Sequence, residues 1–241
     1  MSTRTSIKSS KSRSRELTKY KYKGTRGPSN RMYVGVRSTN AATQGSSAVA
    51  NKQVVKLRYT TLVPLTNTGT GLGVTYQFRA NSIFDPDFSG TGHQPMGHDE
   101  WAKFYLHYRV LKSSISVQIE ADDAATQPYV QWVGVGAASG TASINPTTVI
   151  ERQKAAWKVS GVGTTPAGPL INWFDGKRFF GAATQNGDTC KAAFGANPTE
   201  DVFFQIGQAP LNTAATARTL FSLVVIDYWC ELTEPQSLLE S

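Results

Sequence analysis

Two cysteines, three histidines and no long apolar run are the first informative shortages in this chain of 241 residues. Cys190 and Cys230 set no disulfide framework and offer no metal-ligand spacing, so they are expected as small core residues of a protein made in a reducing compartment. The most apolar stretch, Leu220 to Cys230, is broken by Ser222 and Asp227, which excludes a membrane-spanning helix. No secretory signal is recognisable either, and no membrane insertion is expected. His93, His98 and His107 cluster beside Asp85, Asp87, Asp99 and Glu100, but they form no HExxH pattern. His98 and His107 would also fall on opposite sides of a helix, so no metal is expected there. A G-x-S-x-G elbow is absent, and Gly134-Val-Gly136-Ala-Ala-Ser-Gly140 lacks the Lys and following helix of a phosphate loop. These absences argue against an enzyme and against a cofactor.

Acidic residues are scarce in one place only. Residues 1–37 hold Glu16 alone against eleven cations: Arg4, Lys8, Lys11, Arg13, Arg15, Lys19, Lys21, Lys23, Arg26, Arg31 and Arg37. Of 25 basic and 17 acidic residues in all, 14 and 16 remain for residues 38–241. The formal charge of +8 is therefore an arm of +10 joined to a body of −2. Such a partition suits an anion-binding tail on a self-associating domain.

Aliphatic side chains are equally scarce in the arm, where Ile7 and Leu17 stand alone before Met32. Residues 1–38 are thus expected to stay disordered when free, with ends about 30–36 Å apart. Within the arm, Lys19-Tyr20-Lys21-Tyr22-Lys23 would place Tyr20 and Tyr22 on one side of an extended chain and the lysines on the other. That pattern suits base stacking beside phosphate contact. The missing apolar helical face argues against a mitochondrial transit peptide. Lys8 to Arg15 is compatible with a nuclear address read by import receptors. A small-residue linker, residues 39–52, separates the arm from a domain at residues 53–241.

The body reads as all-β. Strands are expected at Gln53 to Leu65, Val74 to Ala80, Leu111 to Ala121, Pro128 to Ala137, Ala155 to Val162, Ile171 to Phe180, Asp201 to Gly207 and Thr219 to Leu232. Eight strands with Gly-, Pro- and Asn-rich connectors and no βαβ rhythm point to a single jelly roll of two packed antiparallel sheets. Short helices are expected in the connections. One runs from Asp99, as N-cap, to Tyr108, with Trp101, Phe104, Tyr105 and Tyr108 on one face; another runs from Pro146 to Lys154. The last strand is bulky at almost every position, so it is expected to be central and covered on both faces. In the first strand, Lys56 and Arg58 alternate with Val55, Leu57 and Tyr59, which puts positive charge on one sheet face. That face would extend the arm's nucleic-acid binding if it lines a shell interior, and is otherwise a solvated sheet face.

The run Phe78-Arg-Ala-Asn-Ser-Ile-Phe-Asp-Pro-Asp-Phe-Ser-Gly-Thr-Gly-His-Gln-Pro95, followed by Asp99, Trp101, Tyr105, Tyr108-Arg-Val110 and Ser113, resembles the capsid proteins of small circular single-stranded DNA viruses that encode their own replication initiator. Outside these residues the likeness is one of layout, a basic arm followed by about eight strands. It implies a jelly-roll subunit that self-assembles into a small icosahedral shell, in the simplest arrangement of sixty copies, around a single-stranded DNA genome. It also implies assembly in the host nucleus and a host-cell attachment receptor. Two alternatives stay open: an RNA-packaging coat protein like those of satellite viruses, and a jelly-roll binding module of lectin or cytokine type.

Overall fold

The first strand shows how alternation becomes architecture. In β1 (Lys52–Asn67), Leu57, Tyr59, Val63 and Leu65 are buried while Lys56, Arg58, Thr60 and Leu62 are exposed, the period-2 pattern of a sheet with one covered face. The computed structural model describes residues 49–67, 74–119, 128–137, 146–151, 154–160, 168–211 and 218–237. The arm residues from Arg4 to Arg37 and most of the linker lie outside them.

The remaining strands are β2 (Val74–Arg79), β3 (Tyr105–Ile119), β4 (Tyr129–Gly136), β5 (Ala155–Ser160), β6 (Leu170–Asp175), β7 (Ala192–Ala193), β8 (Phe203–Pro210) and β9 (Arg218–Pro235). One sheet has the order β1-β9-β3-β6, with the short β7 on β3; the other has the order β2-β8-β4-β5. All pairings are antiparallel. The chain changes sheet after β1, β2, β3, β5, β7 and β8, so its connectors wrap around a two-layer sandwich. This strand order is the jelly roll expected from the strand count.

The core lies between the layers. Leu57, Ile115, Val117, Val224, Ile226 and Tyr228 of one sheet meet Phe78, Val133, Phe204 and Ile206 of the other. Each such burial contributes on the order of 1.5–3 kcal/mol. A bulge between Val110 and Lys112 of β3 switches which parity faces this core. Tyr108 and Val110 point inward before it, and Ser113, Ile115, Val117 and Ile119 after it. Cys190 and Cys230 are both buried, as expected. A smaller cluster, Val130, Trp132 and Ala209, occupies the outer side of the second sheet, with Ile150 against it.

Several expectations need correction. The helix read from Asp99 to Tyr108 is a single turn, α1 (His98–Ala102), entered through Gly97 at φ 87° rather than capped by Asp99. Tyr105 and Tyr108 belong to β3, whose ladder with β9 begins at the Tyr105–Pro235 pair. Local i, i+3, i+4, i+7 spacing gives way to sheet pairing and to the hydrogen bonds of the Tyr108 hydroxyl. The helix expected to reach Lys154 is α2 (Pro146–Ile150). The strand expected to run to Phe180 stops at Asp175, whose carboxylate accepts Arg178 N–H at 3.2 Å and caps α3 (Gly176–Phe180). A second turn of helix, α4 (Ala182–Asn186), follows. The last strand is central, between β1 and β3, but only its inward face is covered throughout: Phe221 is 51% and Leu223 41% exposed on the other.

Candidate nucleic-acid and subunit surfaces

The stretch that carries the resemblance is the connector that takes the chain from β2 in one sheet to β3 in the other. Crossing the sandwich edge buries its backbone, and Ala80, Asn81, Ser82, Ile83 and Asp87 are all buried. Its polar groups must therefore be satisfied internally. Asn81 donates to the Glu200 carbonyl at 2.5 Å and accepts Val202 N–H at 2.9 Å. The Ser82 hydroxyl lies 2.8 Å from that of Tyr108 and donates to Asn197 at 2.6 Å. Arg79 reaches Asp85 at 2.7 Å and Asp201 at 3.5 Å. The Asp87 carboxylate accepts Ser89 N–H at 2.9 Å and the Tyr76 hydroxyl at 2.7 Å. The Asp-Pro-Asp segment is thus half turn and half clamp. Asp87 bonds the nearby backbone of Ser89, whereas Asp85 ties back to Arg79.

Burial, with the Asp87 carboxylate beside it, pushes the Tyr76 hydroxyl up to about 12. Burial likewise raises Tyr108, Tyr228 and the Cys230 thiol. A neutral, buried thiol of this kind is a packing group rather than a nucleophile.

The histidines disperse. His93 bonds the Gln94 and Thr60 carbonyls, His98 meets Asp99 at 3.0 Å, and His107 meets Glu234 at 2.9 Å. Among the described residues no group of three or more His, Cys, Asp or Glu side chains gathers to hold a metal ion. No helix among them is long and apolar enough to cross a membrane. A cavity of about 440 Å³ is lined by Lys52, Arg109, Lys191, Glu231 and Glu234, which form ion pairs with one another. Arg109, nearly buried, spans it from Glu231 at 3.4 Å to the Asn186 carbonyl at 2.9 Å, and Lys191 pairs with Glu234.

The outer face of the first sheet is the more open surface. Lys56 and Arg58 project from β1 as expected, and both converge on Asp227 of β9. The Lys56 ammonium sits 2.9 Å from that carboxylate, and Arg58 grips it through Nε at 2.7 Å and Nη2 at 3.0 Å. Arg58 foremost, and Lys56 with it, holds the Asp227 carboxyl below its ordinary value. Beside this trio, Trp229 of β9 stacks on Trp173 of β6 with ring centroids 5.9 Å apart and planes inclined by 29°. The rings meet across β3, which bears only Ser114 between Asp227 and Trp173 in register. Lys56 also lies 4.9 Å over the Trp229 ring. Further along the same face the character changes to exposed Leu62, Leu223, Phe221 and Ile171.

Of the fifteen residues expected to bind nucleic acid, the structure therefore describes only Lys56 and Arg58, and brings those two together. Asp227, Trp229 and Trp173 escaped sequence reasoning. Their signal was present in the parity of β9 and β6, opposite to that of the core residues, but bulky side chains at both parities of β9 concealed it.

No protein-family model matches the chain, and no curated protein matches it. Solved structures to which it is similar are virus capsid proteins. The 60-mer BFDV capsid protein is 10% identical, with 80% of this chain and 100% of that one covered, at a TM-score of 0.43. Cocksfoot mottle virus is 12% identical, with 77% and 97% covered, at 0.46. Desmodium yellow mottle tymovirus is 13% identical, with 84% and 93% covered, at 0.43.

Proposed function

We propose that the chain is a virus capsid protein whose jelly rolls associate into a closed icosahedral shell and whose basic arms hold single-stranded DNA inside it. The observation that carries this reading is the partition of charge, +10 in residues 1–37 against −2 in the rest of the chain. A body near neutrality can pack against copies of itself, while the arm neutralises phosphate. Exposed Leu62, Phe221 and Leu223 supply apolar surface for subunit contacts to cover.

The mechanism is phosphate neutralisation by Arg4, Lys8, Lys11, Arg13, Arg15, Lys19, Lys21, Lys23, Arg26, Arg31 and Arg37, with base stacking on Tyr20 and Tyr22. In the simplest shell, sixty arms bring roughly 600 positive charges to the lumen, enough for only part of a kilobase-scale genome, so binding is nonspecific and salt-sensitive. The reading of the cargo as DNA rather than RNA comes from the family resemblance carried by residues between Phe78 and Ser113. Import into the nucleus through Lys8 to Arg15, and attachment to a host receptor, belong to the same reading.

Electron microscopy and size exclusion of the full-length protein, with and without nuclease, test it. Closed particles of uniform diameter carrying protected nucleic acid are expected, and packaging competition then separates DNA from RNA. A discrete monomer or small oligomer across salt, pH and concentration would overturn the shell and favour a ligand-binding module.

A further inference from the structure

We infer that the outer face of the first sheet carries an ordered stacking platform for unpaired bases of single-stranded nucleic acid, built from Trp173 and Trp229 and flanked by Lys56, Arg58 and Lys112. The inference rests on the capsid reading but assigns nucleic-acid contact to the folded body rather than to the arm alone.

Trp173 is 57% exposed although it is one of the largest apolar side chains in the protein. Its inner neighbour, Trp229, already holds it at 5.9 Å in a stacked arrangement. A base added to the outer side of Trp173 would continue that stack, which any base can do because every base has a π-face. Phosphate partners stand on both sides. Lys56, Arg58 and Lys112 have side chains 46%, 61% and 60% exposed. Asp227 and Asp175 offset part of their charge, at 2.9 Å from Lys56 and 3.8 Å from Lys112. Asp227 also fixes Lys56 and Arg58 along the sheet. The Arg58 pairing uses Nε and Nη2 only, which leaves Nη1 outside it as a donor for phosphate.

Two observations favour nucleic acid over a second protein chain at this spot. Protein interfaces deplete charge at their centres, whereas here cations surround the aromatic pair. The charge-free part of the face, Leu62, Leu223 and Phe221, lies further along the same strands and suits a copy of the chain. Continuity with the arm is the second. The eleven arm cations precede β1 in the chain, and β1 begins at Lys52, four residues or about 13 Å before Lys56.

Full-length protein and 5-iodouracil-substituted oligonucleotides, one DNA and one RNA, test the platform by photo-crosslinking and peptide mapping. Crosslinks at Trp173 or Trp229 are expected; crosslinks confined to the arm overturn the proposal. Trp173→Ala should weaken oligo-dT binding about 5- to 150-fold, the range for one lost stack, with an unchanged salt slope. Trp173→Phe should recover most of that loss, and an abasic oligonucleotide of equal charge should bind wild type and Trp173→Ala alike. Oligo-U in place of oligo-dT separates a deoxyribose requirement from stacking common to both. Particles that form normally with Trp173→Ala and unaltered oligonucleotide affinity would refute the platform while leaving the shell intact. Loss of particles with unaltered affinity would reassign the pair to a subunit contact and equally refute it. Absence of particles from the wild type would instead strike the capsid reading, and the crosslinks would still report on the platform.

Discussion

Replacing Arg79 by Met keeps the length of the side chain but removes the charge that holds the sheet-crossing connector. Arg79 sits at the end of β2 with its side chain 11% exposed, bonded to Asp85 at 2.7 Å and to Asp201 at 3.5 Å. It also donates to the Asp85 carbonyl at 3.0 Å and covers the Phe88 ring at 5.1 Å. Removing one partner from a buried charge cluster costs about 3–5 kcal/mol. The two carboxylates are 24% and 30% exposed, so water offsets part of this, and a loss of about 2–3 kcal/mol is expected. In a domain of this size that corresponds to roughly 4–12 °C in Tm.

The pH dependence separates charge from packing. Burial raises the Asp201 carboxyl above its ordinary value, and Arg79 opposes that shift. The folded state therefore binds this proton more tightly than the unfolded chain, and Asp201 lowers stability as pH rises from about 3.9 through its folded value. Without Arg79 the shift grows, so the penalty of Arg79→Met should be largest near neutrality and should shrink on acidification. Urea unfolding followed by tryptophan fluorescence, on dispersed full-length subunits in high salt, measures both. Asp201→Asn in the Arg79→Met background should recover about half of the loss near pH 7, because the carboxylate no longer needs a partner. An equal penalty at about pH 4.5 and pH 7.5, or no recovery with Asp201→Asn, would refute the electrostatic account.

Glycines in the same connector offer a paired test. A Cβ on Gly92 would stand 2.6 Å from the Asp87 Cβ and 2.8 Å from the Tyr59 hydroxyl, so Gly92→Ala should cost about 3 kcal/mol in urea unfolding. Gly90 has φ +73° but open space around it, and Gly90→Ala should cost only about 1 kcal/mol. Deleting residues 1–37 should reduce the salt slope of oligonucleotide binding from at most about −10, for the arm cations together with Lys56, Arg58 and Lys112, to at most about −2, set by those three alone, as measured by fluorescence anisotropy. An unchanged slope would remove the arm from the binding account. Arg58 and Lys56 hold the Asp227 carboxyl down, so its contribution is present above about pH 4 and is lost on acidification through its folded value. Asp227→Asn should accordingly shift the urea midpoint slightly at pH 7 and not at all near pH 2, while tightening oligonucleotide binding.

Strands with strict parity were legible because burial and hydrophobicity alternate together, as at Leu57 and Tyr59 against Lys56 and Arg58. The expected helix over Trp101, Phe104, Tyr105 and Tyr108 failed because those residues satisfy a helical period and also carry high strand propensity, and only pairing with distant Pro235 and Leu232 decides between them. The bulge at Leu111 was illegible for a related reason: a change of parity inside one strand leaves both halves looking regular. Lys56 and Arg58 could be placed on a common face from β1 alone. Trp173 and Trp229 could not, since they stand 56 residues apart and meet only over Ser114 of a third strand. The last strand is the instructive case. Its two apolar parities predicted cover on both faces, yet the described residues leave Phe221 and Leu223 half exposed on one of them. In β4 and β8 a comparable pattern is buried on both sides, with Trp132 and Ala209 under cover. Phe221 and Leu223 stay 51% and 41% exposed. A two-sided apolar strand whose second face is half exposed offers apolar surface for another copy of the chain to cover, as the proposed shell would.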